Sequence, residues 1–551
     1  MMMCGVLATH DFRCRGAEIS LKKPARPPTQ QMACAASLAR RQLSSLLVSS
    51  RPHCWSVGSI GSRRNIPRVV LERDSGGTFS SSFSSSKWVS TSSASSSPAR
   101  PKDPPLDPKR RSTLLRNFLK SALYDSSDGY FSQQDLPVGS ITGQIPFRSL
   151  LGVDEYNRLL AKKYNQLTKQ WLTPVEIFKP HYSEAVAKYV LHRYMTEDYG
   201  KGYPLKVYEL GGGSGTHAAG FLSYIKKNAP EVFANMVYGS VEISSALAAA
   251  QRKCVTTAMQ TVGEEHASDK GKKCIKKSNP VTKIPYERVP YKVIVRDAID
   301  RHGWGDTNPD PCFVVALEVL DNLPHDKVVF LKDEWMETRV FDTGNEGNDY
   351  YQELLDPVSD PLISRAMNAV GVGDSMDNSS FSHHFSAKTV LDYLASVINA
   401  VTGTPNTIYL PTGCLELLET LHKCRPNHRL IAADFDSLPG VQMPGTNAPL
   451  VATQSTGGKT KDLDSYLKQP GSADVFFPTD FEHLRILDLC ARREGVVIEN
   501  EDLLMDFRAP SHVVTTKAFM EKWADLDSTK TRSGYNPLAQ DFANTKFFLS
   551  G

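Results

Sequence analysis

One stretch restricts this chain more than any other: Val207-Tyr208-Glu209-Leu210-Gly211-Gly212-Gly213-Ser214-Gly215-Thr216. An apolar, β-prone run ends beside a carboxylate, glycines recur at alternate positions, and helix-forming residues follow. Glycine has no Cβ and accepts positive φ, so such a turn brings bare backbone against whatever lies beside it. A strand that stops at a glycine turn and restarts as a helix opens a βαβ unit. The rest of the chain must therefore supply further strands for a sheet.

It does so in alternation. Strand Leu205–Leu210 leads to helix Thr216–Lys227, and strand Met236–Ile243 to helix Ala246–Met259. Strands Tyr291–Arg296 and Cys312–Leu317 follow; the second is continuously apolar, as a parallel strand buried on both faces should be. Helix Leu415–His422 precedes strand His428–Asp434, and Val513–Thr515 and Phe547–Leu549 read as late strands. The order predicts an open, doubly wound α/β sheet, Rossmann-like and mostly parallel. Ahead of it, residues 110–200 read as a helical segment, with apolar faces in Leu114–Leu119, Tyr156–Trp171 and Pro180–Tyr194. The sheet core is expected over 201–340 and 405–551, within one domain spanning 106–551. Residues 341–385 and 436–474 are polar and weakly periodic, and read as insertions or mobile loops.

The formal charge of +4 hides an asymmetry. Residues 1–100 hold fourteen Lys/Arg against four Asp/Glu, whereas the remainder holds fifty against fifty-six. The mildly acidic body gives no basis for broad nucleic-acid binding. The leader is rich in Arg, Ser and Ala, and 1–105 reads as an organelle transit peptide followed by a Ser-rich linker. Import into the mitochondrial matrix is the expectation; a plastid address carries the same signature. No run of eighteen apolar residues occurs, so no transmembrane segment is expected. The ten cysteines include no Cys-x-x-Cys, and His181, His383 and His384 lack ligand spacing, so no metal is expected. Those histidines read as loop residues, and Cys254, Cys274 and Cys490 are assigned no role.

Ligands of open α/β sheets sit at the carboxyl ends of the strands. Dinucleotide sites prefer Gly-x-Gly-x-x-Gly, with a pyrophosphate at the helix N-terminus. Here Gly211, Gly213 and Gly215 alternate, and Glu209 stands two residues before them. An acid there repels a pyrophosphate but suits the cationic methionine part of S-adenosylmethionine. The turn therefore predicts a methyl-donor site. Glu242 closes the second strand, where a carboxylate can accept both ribose hydroxyls. Asp297 follows the third and can accept from an adenine amino group. The fourth ends in Glu318-Val319-Leu320-Asp321-Asn322-Leu323-Pro324, where an acceptor would meet the methyl group. Glu318 and Asp321 suit a guanidinium, which carboxylates bind bidentately and orient. Each acid also has a plainer reading, as an exposed strand-end residue or a cap.

Together these elements resemble the MidA-like mitochondrial proteins, the complex I assembly methyltransferase family, over roughly residues 114–551. Asp128-Gly129-Tyr130-Phe131 resembles the family's Gly-Tyr-Tyr segment, and Thr173-Pro174-Val175-Glu176 its Thr-Ser-Pro-Glu signature. Glu209–Thr216, Val241–Ser244, Glu318–Pro324, Ala432–Phe435 and Phe476–Leu484 follow in family order. The resemblance implies a class I methyltransferase fold, S-adenosylmethionine as donor, and arginine methylation of a complex I subunit. It places Glu209, the glycines and Glu242 on the donor, and Glu318 and Asp321 at the acceptor. The chain departs from the pattern at Gly212 (usually Pro), Leu317 (usually Asn), Asn322 (usually small), and Phe435 and Asp436 (usually Tyr-Gly).

The reading is a mitochondrial S-adenosylmethionine-dependent protein arginine methyltransferase supporting complex I assembly. Alternatives are a non-catalytic assembly factor on the same fold, or a methyltransferase for another protein or a small molecule. A nicotinamide-dependent oxidoreductase explains Glu242 but neither Glu209 nor the glycine spacing.

Overall fold

The structure is a computed structural model. It describes residues 111–133, 138–167, 171–197, 202–268, 289–344, 350–372, 406–455, 459–468, 470–495 and 511–551. The leader and Ser-rich tract expected over 1–105 lie outside the described residues.

Helices α1 (Leu115–Tyr124), α2 (Val153–Tyr164) and α3 (His181–Thr196) precede the main sheet. Then come β1 (Lys206–Leu210), α4 (Thr216–Asn228), β2 (Val237–Glu242), α5 (Ser245–Ser268), β3 (Tyr291–Val295) and β4 (Cys312–Leu317). Strands β5 (Asp326–Leu331), β6 (Glu334–Asp342) and β7 (Tyr351–Pro357) lead to α6 (Pro361–Val370). Next are β8 (Asn406–Leu410), α7 (Thr412–Cys424) and β9 (His428–Phe435). Strands β10 (Leu450–Ser455), β11 (Lys459–Leu463) and β12 (Asp474–Phe476) precede α8 (Phe481–Gly495). The chain closes with β13 (His512–Thr515), α9 (Thr516–Trp523) and β14 (Thr545–Leu549).

Seven strands form the main sheet in the order β13-β14-β9-β4-β1-β2-β3. The block from β9 to β3 is parallel, and β14 runs antiparallel to both β9 and β13. The chain thus builds outward from β1 through β2 to β3, then returns to place β4 on the other side of β1. At that reversal the loops that follow the adjacent strands β1 and β4 leave toward opposite edges of the sheet, and their divergence opens a crevice at the strands' carboxyl ends.

Side chains alternate across a strand, and β4 shows what its apolar run is for. Phe313 and Val315 pack with Val186 of α3 and Phe221 of α4, while Val314 and Ala316 pack with Ile363 of α6 and Leu418 of α7. Both sides of the strand are buried.

Helix α1 buries Leu115, Phe118, Leu119, Ala122 and Leu123, one helical face. Its Arg116 bridges Asp326 of β5 at 2.7 Å and Asp360, the N-cap of α6, at 2.6 Å. This clamp fixes α1, so that Lys120 and Tyr124 lie over the crevice.

The stretches read as loops carry regular structure. Residues 341–385 contain the end of β6, all of β7 and α6, and 436–474 contain β10 and β11 and open β12. Strands β5, β6, β7 and β8 form an antiparallel sheet completed by the short strand Thr113–Leu114 against β6, and β10 pairs with β11 and β12 in another. In β11, Lys461 and Asp462 are exposed and Leu463 is half-buried, so that stretch leaves no apolar period in the sequence. The predicted helix Tyr156–Trp171 also ends early, at Tyr164. Trp171 instead bridges Val138.

Candidate active site

The crevice is lined by the carboxyl ends of β1, β2 and β4, the turn after β3, and α1. The glycine turn forms its floor. Gly211 and Gly213 line it at φ 60° and 52°. A Cβ on Gly211 would sit 3.0 Å from Val319 Cγ2, and one on Gly213 3.4 Å from Val138 Cγ1.

Gly215 is different. It does not line the crevice but caps α4 at φ 84°, where a Cβ would lie 2.7 Å from the Gln251 Cα. Its lack of a side chain serves the packing of α4 on α5.

Glu209, Glu242 and Asp297 all line the crevice. Glu209 is 3% exposed and accepts from the Tyr238 hydroxyl at 3.1 Å. Burial, reinforced by Glu242, lifts its carboxyl to about 8. Glu242 accepts from Ser244 N at 2.9 Å and Gln251 Nε2 at 2.8 Å, and burial lifts it to about 7. Asp297 accepts from Ile299 N and pairs with Lys120 at 2.7 Å. Desolvated carboxylates without a matching cation raise their own pKa until something positive arrives. Such a floor fits a cationic ligand and rejects a pyrophosphate.

The two acids after β4 part company. Glu318 lines the crevice and adopts φ 55°, a left-handed conformation that costs a side-chain-bearing residue about 1–2 kcal/mol. Its amide donates to Ala433 O of β9 at 2.8 Å, which holds the strained backbone in place. Burial, with the Asp321 charge adding, lifts its carboxyl to about 7. Asp321 does not line the crevice. It lies 1% exposed beside Asp434 and Asp474, and among the described residues Asp321 Oδ1 and Asp474 Oδ2 have no hydrogen-bond partner. Burial pushes Asp434 and Asp474 well above the usual carboxylate range, and Asp321 adds to both. The left-handed turn at Glu318 separates two acids that a regular helical spacing would have set on one face.

Several residues around the site were given no role by the sequence. Gln251 joins Glu242 to the Gly213 carbonyl and accepts from Ser240 Oγ at 2.7 Å. Glu176, in the segment resembling Thr-Ser-Pro-Glu, accepts from Thr216 Oγ1, Ser140 Oγ and Lys179 Nζ. It ties the helical segment to the glycine turn. Asn322, a departure from the family pattern, donates to Asp474 Oδ1 at 2.9 Å and Val475 O at 3.1 Å. His217 and Tyr124 complete the walls. Their only signal in sequence was nearness to the motifs.

Residues 185–493 match the family described as "Putative S-adenosyl-L-methionine-dependent methyltransferase". The chain belongs to this family. S-adenosylmethionine is accordingly the cofactor of this methyltransferase, and the acidic, glycine-floored crevice suits its positive charge. The mitochondrial protein arginine methyltransferase NDUFAF7 homolog of Schizosaccharomyces pombe is 23% identical over 379 residues, 66% of this chain and 73% of that protein. A Burkholderia thailandensis structure described as a "likely methyl transferase", bound to S-adenosyl-homocysteine, shares 13% identity. It covers 80% of this chain and 89% of that one at a TM-score of 0.47. An uncharacterized protein of the same organism gives 12%, 80%, 88% and 0.46.

A separate cluster concerns the expectation of no metal. His422, His428 and Asp488 place potential ligand atoms within 4.8 Å of one another, all buried. His422 Nε2 lies 2.8 Å from Asp488 Oδ1, and His428 Nδ1 2.8 Å from Arg425 O. These bonds link α7 to α8 and β9. His181 opens α3 rather than lying in a loop, and His383 and His384 lie outside the described residues. Among the described residues, no helix is long and apolar enough to cross a membrane.

Proposed function

We propose that this methyltransferase is a class I, doubly wound enzyme that methylates arginine in a protein of the mitochondrion, in support of complex I assembly. The observation that carries the acceptor assignment is Glu318, held at φ 55° so that its carboxyl meets the crevice where the methyl must be transferred. Backbone strain at a non-glycine residue marks a position whose side-chain direction matters more than its local energy. The mitochondrial and arginine parts draw support from the Arg-rich leader and from the name of the fission-yeast relative.

S-adenosylmethionine supplies an electrophilic methyl on a sulfonium sulfur. The chain's own residues do the rest. Glu242 receives the two ribose hydroxyls, Asp297 the adenine amino group, and Glu209 the α-ammonium, while Gly211 and Gly213 let the backbone approach. Glu318 accepts guanidinium N–H bonds and aligns the attacking nitrogen, which is the main demand of an in-line displacement. With its carboxyl lifted to about 7, Glu318 can also receive the proton that the guanidinium gives up. Asp321 stands behind it beside Asp434 and Asp474, whose carboxyls burial pushes well above the usual range, so that this cluster holds protons rather than a full set of negative charges.

The test is transfer of labelled methyl to mitochondrial extract, followed by acid hydrolysis and amino-acid analysis. Label in methylarginine supports the proposal. Label confined to other residues or to small molecules replaces the acceptor. Donor binding with no transfer makes the chain a non-catalytic assembly factor.

A further inference from the structure

His217 is the second residue of α4, 3% exposed, and lines the same crevice as Glu209 and the glycine turn. Among the described residues, neither of its ring nitrogens has a hydrogen-bond partner. Its ring meets that of Phe221, at 5.9 Å between centroids. Burial drives its pKa down to about 3, so the ring is a neutral imidazole with one N–H donor and one bare lone pair. Leaving both unsatisfied costs stability that an apolar side chain of similar size would not lose. An imidazole in this place is therefore accounted for by an occupant of the crevice, not by packing.

The neighbours identify which part of the occupant. Glu242 and Asp297 lie at the ends of β2 and β3, toward the nucleoside. His217 lies on the β1–α4 side, with Glu209 and the first turn of α4. That is where the amino-acid end of the donor belongs. This end carries an ammonium and a carboxylate. Glu209 suits the first, and the free N–H groups and positive dipole end of a thirteen-residue helix favour the second.

We propose that His217 donates a hydrogen bond to the α-carboxylate of the methyl donor, and so selects ligands that keep their amino-acid end. The inference rests on the donor site proposed above.

The test compares full-length wild type, His217→Leu and His217→Asn by calorimetry and thermal melting. Two ligands are used: S-adenosylhomocysteine, and 5′-methylthioadenosine, which lacks the amino-acid end. His217→Leu should weaken S-adenosylhomocysteine roughly 10- to 100-fold, the range for a hydrogen bond to a charged group. It should leave methylthioadenosine unchanged and raise the melting temperature of the unliganded protein. His217→Asn, which keeps a donor, should recover part of the loss, and it serves alone if the leucine variant does not fold. Equal weakening of both ligands, or none for S-adenosylhomocysteine, overturns the proposal. Wild type that binds neither ligand overturns the donor site as well, a result distinct from an unaffected variant.

Discussion

Replacing Glu242 by Gln tests the donor site with the least change of shape. In the wild type two acceptor positions of the carboxylate are taken, by Ser244 N at 2.9 Å and Gln251 Nε2 at 2.8 Å. A carboxylate has about four such positions, which leaves capacity toward the crevice for the two ribose hydroxyls. Glutamine turns one oxygen into an N–H donor, and either orientation sets it against Ser244 N or Gln251 Nε2. One internal bond is lost, about 1 kcal/mol. On the ligand side one charge-assisted bond is lost and the other becomes neutral, together about 3 kcal/mol, or roughly 100-fold in affinity. Since burial holds the Glu242 carboxyl at about 7, it is mostly ionised at pH 8 and mostly protonated at pH 6. The gap between wild type and variant should therefore be widest at pH 8 and narrow at pH 6. Calorimetric titration with S-adenosylhomocysteine at both values measures it. Equal affinities at pH 8 would refute the ribose role.

Without ligand, stability should fall as pH rises. Glu209 and Glu242 are raised from 4.5 to about 8 and about 7, so the folded state holds protons that the unfolded chain has released. Their contribution is complete below about 4.5 and is lost through 7 and 8, with a slope of up to about 1.4 kcal/mol per pH unit per group. Urea midpoints between pH 5 and 8.5 check this, and a rising profile contradicts it. Gly215→Ala should cost about 3 kcal/mol, because its Cβ meets backbone of α5 at 2.7 Å and φ is 84°. Gly213→Ala should cost about 1 kcal/mol from φ alone, yet weaken donor binding more, as it faces the crevice. Melting curves and donor titrations on the pair separate the two roles. Glu318→Gln should depress single-turnover methyl transfer at least ~100-fold while donor affinity changes little; unchanged turnover removes Glu318 from the acceptor site.

Much of the scaffold was legible because it is written locally. A continuous apolar run such as Cys312–Leu317 implies a strand covered on both faces, and alternating glycines after Leu210 imply a tight turn into a helix. The acids at strand ends could be named for the same reason, since carboxyl ends of parallel strands share one edge. The antiparallel strands β7, β10 and β11 left no such mark, as their pairing partners, not their own periodicity, hold them in place.

What the residues meet was settled elsewhere. Sequence spacing treated Gly211, Gly213 and Gly215 alike, but the approach of α5 makes Gly215 a packing position. It treated Glu318 and Asp321 as a pair, but one left-handed residue turns Glu318 to the crevice and buries Asp321 among Asp434 and Asp474. Gln251, Glu176 and His217 matter only because separate elements bring them to one edge. The sequence by itself determined which strands and turns could form and which acids stood at their ends. Only the tertiary structure decided which polar groups would share a buried space, because the pairing of distant strands and the packing of helices across them set those distances, and no local pattern records them.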